Sequence, residues 1–135
     1  ALLVDKESGK VLLEVTNTVY KDNDVTRHAE LNLCSLASQK LSRKQLLDSI
    51  LYTSTEPCAM CSGAIYWSGI RLVVYGCSEK RLEEIVESQC EKPEDQSDGG
   101  LGVPCRSVFE RAKYTVHVLG PVVPEESEKP HLDYW

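Results

Sequence analysis

The chain has 135 residues, a length that fits one domain with a core of its own. Apolar residues make up 41% and charged residues 27%, the balance of an ordinary globular protein, and no apolar run nears the length of a membrane span. The formal net charge is −6, and no basic face stands out beyond Lys40, Arg43 and Lys44, which a solvated helix end explains; this argues against a nucleic-acid partner.

The chain opens on Ala1-Leu2-Leu3-Val4, which reads like the middle of a buried strand, so an upstream segment is expected to be missing. No signal peptide is legible. Residues 1–4 and 11–15 are apolar and flank a polar stretch containing Gly9, the pattern of a hairpin. Residues 17–27 are polar and irregular. From His28 the spacing of Leu31, Leu33, Cys34, Leu36 and Ala37 predicts a helix to about Gln39. Residues 50–53 read as a strand. A second helix is expected from Cys58 to about Ser68, with Pro57 near its start, where a missing N–H costs little. Residues 72–75 form a buried strand ended by Gly76. A third helix follows over 78–89, with Ser78 as cap and Leu82, Ile85 and Val86 on one face. Residues 91–103 carry Pro, Asp, Ser and Gly and read as loop. A short helix at 106–113 and an alternating strand at 114–119 complete the pattern, and the end from Pro121 is acidic. Strands alternating with helices predict a three-layer α/β domain spanning 1–135, with a central mixed sheet of about five strands.

Six cysteines could suggest disulfides, but only Cys58 and Cys61 form a close pair, and a chain of this size needs no staples. Reduced thiols in the cytoplasm, with two of them on a metal, are expected. Cys34, Cys77, Cys90 and Cys105 read as buried apolar groups or loop thiols.

Two short runs carry the chemistry: His28-Ala29-Glu30 and Pro57-Cys58-Ala59-Met60-Cys61. A catalytic zinc takes three protein ligands and leaves one position for water. His28, Cys58 and Cys61 supply the three, and both runs fall at predicted helix starts, where partial positive charge favours thiolate over thiol. Glu30, two residues beyond His28, cannot point the same way on the helix and is placed to move protons without ligating the metal. A lone H-x-E carries little information, and a lone C-x-x-C is more often redox-active or structural zinc. A structural site needs a fourth ligand, and Cys34 is poorly spaced to provide it. The pairing of H-x-E with P-C-x-x-C is the signature of zinc-dependent nucleobase deaminases.

With Asn17, the segment Asn23-Asp24-Val25-Thr26-Arg27-His28-Ala29-Glu30 and the segment 51–67, the chain resembles the cytidine deaminase-like superfamily over about Ala1 to Gly76. Within it, the branch of bacterial guanine deaminases and tRNA adenosine deaminases is closest, and the Tyr-Thr-Ser lead-in and Ile-Tyr-Trp exit of the second segment are nearer the guanine deaminases. The resemblance implies His28, Cys58 and Cys61 on Zn2+, Glu30 as catalytic proton shuttle, and Asn17 and the Ala29 backbone on the base. It implies a homodimer. Trp67, Tyr134 and Trp135 are further candidates for the pocket wall. Each of the softer candidates has a plainer reading: Asn17 as the cap of a turn, Trp67 as core, Tyr134 and Trp135 as a frayed terminus. His117 reads as a packed or surface residue, and His131 has no partner in view. The N-terminal helix usual in the family is absent from this sequence, the match fades beyond Gly76, and the tail is short.

The expected activity is hydrolytic deamination of a free nucleobase or nucleoside, with a guanine-like purine favoured. Cytosine or cytidine deamination, tRNA adenosine editing and a non-catalytic zinc domain are the alternatives. No membrane partner is expected.

Overall fold

A computed structural model describes residues 1–89 and 100–132. The loop expected over 91–103 therefore lies largely outside the described residues, as do Cys90, Tyr134 and Trp135. Residues 100–104 run without regular structure.

The hairpin pairs β1 (Leu2–Asp5) with β2 (Val11–Glu14), and the Gly9 backbone takes the left-handed conformation in its turn. β1 also pairs antiparallel with β3 (Ser49–Thr55). β3 then runs parallel to β4 (Leu72–Cys77), and β4 parallel to β5 (His117–Leu119). The order β2-β1-β3-β4-β5 gives the expected mixed, five-stranded sheet, with β3 at its centre.

Strand side chains alternate between faces, so one face carries Leu3, Leu51 and Val73 in register, all fully buried. Helix α2 (Ala29–Lys40) places Leu33, Cys34 and Ala37 on this face, α4 (Ala59–Ser68) adds Ile65, and α6 (Cys105–Phe109) adds Cys105 and Phe109. Together they form the core. The other face has a partial helical layer: α7 (Pro124–Glu128) packs on the far end of β4, while Val11, Tyr52 and Leu119 remain 49%, 38% and 60% exposed.

Several boundaries differ from the sequence expectation for physical reasons. Gly76 does not end its strand. It lies inside β4, where a Cβ would stand 2.3 Å from the Ser127 Cβ and 2.7 Å from the Ser54 carbonyl, so glycine lets α7 approach. The basic cluster at 40–44 is solvated as expected, with Lys40 at the end of α2, but Arg43 and Lys44 open a further helix, α3 (Arg43–Leu47). Ser42 and Gln45 close a reciprocal capping box there, a Ser-x-x-Gln signal legible in the sequence. A short helix, α1 (Val19–Asp22), interrupts the polar stretch 17–27. Helix α5 (Glu79–Gln89) starts as expected, with the Ser78 hydroxyl accepting from the Arg81 N–H.

Helix α6 begins one residue earlier than expected and stops at Phe109. β5 starts only at His117, because Tyr114 is drawn away to stack on Tyr66 at 4.4 Å, with the Arg71 guanidinium 3.5 Å from its ring centroid. The acidic tail, which shows no periodicity in the sequence, forms α7 and a 3-10 turn, Lys129–His131. Among the described residues no helix is long and apolar enough to cross a membrane.

Candidate active site

Both ligand runs sit where an extended segment turns into a helix. His28 is the N-cap of α2 (φ −63°, ψ 152°) and Cys58 the N-cap of α4 (φ −62°, ψ 171°). Cys61 follows in the first turn of α4 and is fully buried. The capping positions aim the donors across the helix ends, and the packing of α2 against α4 brings the two ends together.

The His28 Nδ1 and the sulfurs of Cys58 and Cys61 lie within 4.8 Å of one another, the one His/Cys/Asp/Glu cluster of metal-binding geometry among the described residues. Cys58 Sγ stands 3.6 Å from His28 Nδ1. A tetrahedral zinc with Zn–S of about 2.3 Å and Zn–N of about 2.05 Å requires an edge of about 3.6 Å. The donor set fits zinc. His28, Cys58 and Cys61 would hold it.

Electrostatics agree with that use. Hydrogen bonding from the Cys61 thiol, followed by His28, holds the Cys58 thiol down to about 4 against its burial. Cys61 is pushed upward by serving Cys58, then by burial and the nearby Glu30 charge. The pair thus shares a proton that a metal would displace. The bond with Cys58 raises His28. By contrast, Cys34 and Cys105 are pushed up to about 12, chiefly by burial, and Cys77 is raised for the same reason. These three behave as apolar fillers, as their sequence settings suggested.

Glu30, the second residue of α2, is only 8% exposed and accepts a hydrogen bond at Oε1 from the Thr53 hydroxyl of β3. It stands beside the cluster without joining it, near enough for its charge to act on His28 and Cys61.

Three residues to which the sequence assigns no role assemble this centre. Glu56, 8% exposed, accepts at Oε1 from the Cys105 N–H (3.0 Å) and at Oε2 from the Glu79 N–H (3.2 Å), so the turn before Cys58 is tied to the starts of α5 and α6. Its place next to Pro57-Cys58 was the available signal. Asn32 donates through Nδ2 to the Thr16 carbonyl, the Thr18 hydroxyl and the Arg27 carbonyl, and so fixes the loop that leads into His28. His131, from the 3-10 turn, meets the Thr55 hydroxyl at 2.9 Å through Nε2, three residues before Cys58. Burial pushes the Glu79 carboxyl up to about 7, with the Cys58, Glu56 and Glu83 charges adding to the effect, and its Oε2 is buried without a partner among the described residues.

The remaining candidates are placed as follows. The Asn17 side chain is exposed, and its Oδ1 accepts from the Val19 N–H at 2.9 Å, an Asx turn at the start of α1. Ala29 is the half-buried first residue of α2, beside the ligands. Trp67 is 82% exposed near the end of α4 opposite Cys58, edge-on to Tyr66, so it is not the core residue its apolar helix suggested. Ile65 takes the inward position instead. His117 is an exposed strand residue. Tyr134 and Trp135 fall outside the described residues.

Residues 1–77 match the zinc-binding region of the cytidine and deoxycytidylate deaminases, the segment that carries every residue of the cluster. The chain belongs to this family. It is 38% identical over 134 residues to a probable cytosine deaminase of Schizosaccharomyces pombe, covering 99% of this chain and 76% of that protein. It is 42% identical over 78 residues to the guanine deaminase of Bacillus subtilis, covering 58% of this chain but only 50% of that enzyme. Among solved structures, NE0047 in complex with 2,6-diaminopurine aligns with a TM-score of 0.67 at 27% identity, over 93% of this chain and 64% of that one. Family members share the deaminase fold; the identity of the base differs among these relatives.

Proposed function

We propose that this protein is a zinc-dependent hydrolytic deaminase of a free, neutral nucleobase. The observation that carries the reading is the His28, Cys58 and Cys61 donor set with a buried carboxylate, Glu30, beside it that takes no part in the set. A structural zinc site has no use for that carboxylate. When bound, zinc lowers the pKa of a coordinated water toward about 7 and so supplies hydroxide at neutral pH.

This chain's own residues do the rest. Glu30 removes a proton from the attacking water and delivers it to the ring nitrogen beside the amine-bearing carbon. A second transfer through the same carboxylate protonates the amine, and the base leaves with a carbonyl in place of the amine as ammonia departs. The helix starts at His28 and Cys58 supply partial positive charge around the site. Asn17 and the Ala29 backbone are proposed to bind the base, which requires the Asn17 amide to present its nitrogen while Oδ1 caps α1.

Two bases have support. Guanine is favoured by the Leu51–Trp67 segment, by the bacterial guanine deaminase matched over the catalytic half, and by the purine bound in NE0047. Cytosine is favoured by the relative that aligns along the whole chain, including the tail that reaches Thr55. The Cys58, Glu56 and Glu83 charges all act on Glu79, and this acidic setting, with the net charge of −6, disfavours phosphate-bearing substrates. The proposal includes a homodimer, since α4 carries no charged residue and yet leaves Trp67 open to solvent.

The test is ammonia release with zinc content quantified, against guanine, cytosine, adenine, their nucleosides and a tRNA anticodon stem-loop. Turnover of a free base that falls at least about 100-fold in Glu30→Ala, with zinc retained, is expected. Turnover of the stem-loop alone would move the chain to RNA editing. Full activity in zinc-replete Glu30→Ala would refute the mechanism.

A further inference from the structure

We propose that Thr53 is a positioning residue for Glu30, a clamp that holds one carboxylate oxygen so that the other is free to carry the proton. This rests on the deaminase reading for its catalytic meaning, and on geometry for the clamp itself.

Thr53 lies 23 positions from Glu30 in sequence and on a different element, yet its hydroxyl donates to Glu30 Oε1, and both residues are at least nine-tenths buried. A hydroxyl has a single proton, and an ionised carboxylate can only accept, so the direction of the bond is set. Among the described residues Thr53 is the one donor to the Glu30 carboxylate. The buried side-chain atoms that lack a partner are Arg71 Nε and Glu79 Oε2. Among the described residues Glu30 Oε2 makes no hydrogen bond, and it is not one of these fully buried atoms. One oxygen is thus held by the strand while its twin is left free to take a proton.

The clamp is stiff for reasons of chain chemistry. Thr53 sits in β3, paired on one side with β1 and on the other with β4, where it faces Tyr75 in register. A β-branched side chain has few χ1 choices on such a strand. Glu30, by contrast, has three freely rotating side-chain bonds at the start of a helix, and needs an external contact to hold one orientation. A proton shuttle that must reach a water and then a leaving amine gains from a fixed pivot, and small misplacements of such groups are costly.

The test compares Thr53→Val, which keeps the side-chain shape and loses the hydroxyl, with Thr53→Ser, which keeps the hydroxyl. In zinc-loaded protein, Thr53→Val is expected to lower kcat about 10- to 100-fold with KM changed less than about threefold, and with zinc at wild-type stoichiometry; Thr53→Ser is expected to recover most of the loss. A role confined to stability would not separate kcat from KM or be rescued in this way. Wild-type kcat in Thr53→Val, or equal loss in both variants, overturns the clamp.

Crystal structures of the zinc-loaded wild type and Thr53→Val give a readout that does not need turnover. A Glu30 carboxylate turned away from its wild-type orientation in Thr53→Val supports the clamp, and an unmoved one overturns it. A zinc-replete wild type that releases no ammonia from any base defeats the deaminase reading instead, and leaves the clamp to be decided by that structural comparison.

Discussion

Removing the Glu56 carboxylate is expected to destabilise the whole site end of the molecule rather than one turn. Its two oxygens receive the Cys105 N–H at 3.0 Å and the Glu79 N–H at 3.2 Å from the starts of separate helices. Glu56 itself is 8% exposed, so little water is available to replace it. A hydrogen bond to a charged acceptor contributes about 1.5–3 kcal/mol net. Glu56→Ala loses both bonds and should cost about 3–6 kcal/mol, a large share of a typical domain stability of about 5–15 kcal/mol. Glu56→Gln keeps one acceptor oxygen but turns an NH2 toward the other N–H, so about 1.5–3 kcal/mol is expected. Urea unfolding of the zinc-free proteins at pH 7 measures both, with the exposed Glu87→Gln as a control that should stay within about 0.5 kcal/mol of wild type. If Glu56→Gln also stays within that margin at unchanged m-value, Glu56 does not anchor α5 and α6 and the reasoning fails.

Metal chelation should lower the stability of wild type by about 3–4 kcal/mol when zinc had been present at 100–1,000 times its dissociation constant. Cys58→Ser should show almost none of that difference in thermal unfolding with and without chelator; a full difference in the variant would remove Cys58 from the ligand set. Zinc binding should also tighten as pH rises, because the raised Cys61 thiol must give up its proton and the raised His28 part of one. Calorimetry in buffers of different ionisation heat should find at least about one proton released per zinc at pH 7, and none would contradict the shared-proton pair. Glu79 has its carboxyl raised from 4.5 to about 7, mainly by burial. The native state therefore holds this proton more tightly than the unfolded chain, and stability falls as pH rises from about 4.5 to about 7. Glu79→Gln should be more stable than wild type at pH 8, by about 1–3 kcal/mol, and nearly equal to it at pH 4.5, read by urea midpoints. A gain independent of pH would refute the assignment.

The chemistry of the centre is legible in the amino-acid sequence because it is local. His28 and Glu30 are two positions apart, and Cys58 and Cys61 share one helical turn, so donor type and spacing carry the information. The strand and helix alternation is legible for a similar reason: periodicity reports which face of an element is buried. It predicts five strands in a mixed sheet, with boundaries near those found for β1, α2, α4 and α5. What escapes are elements with too few residues to show a period. α1, α7 and the 3-10 turn have four, five and three residues respectively, and α3 announces itself only through its capping box.

Sequence alone thus determined the candidate metal ligands, the candidate shuttle Glu30 and the class of fold, because each depends on residue type within one element or on a repeated pattern. Only the tertiary structure decided how the centre is supported. That Thr53 donates to Glu30, that Glu56 joins the starts of α5 and α6, that Asn32 secures the loop before His28, and that His131 meets Thr55 are contacts between residues from 5 to 76 positions apart. No spacing rule connects such residues. They meet because the mixed sheet, ordered β2-β1-β3-β4-β5 with β3 parallel to β4, brings the end of β3, the starts of α2, α4, α5 and α6 and the returning tail together. The same holds for Trp67: an apolar helix suggests a buried tryptophan, but which side of α4 meets the core is set by its neighbours α2 and α6, and they turned Trp67 outward.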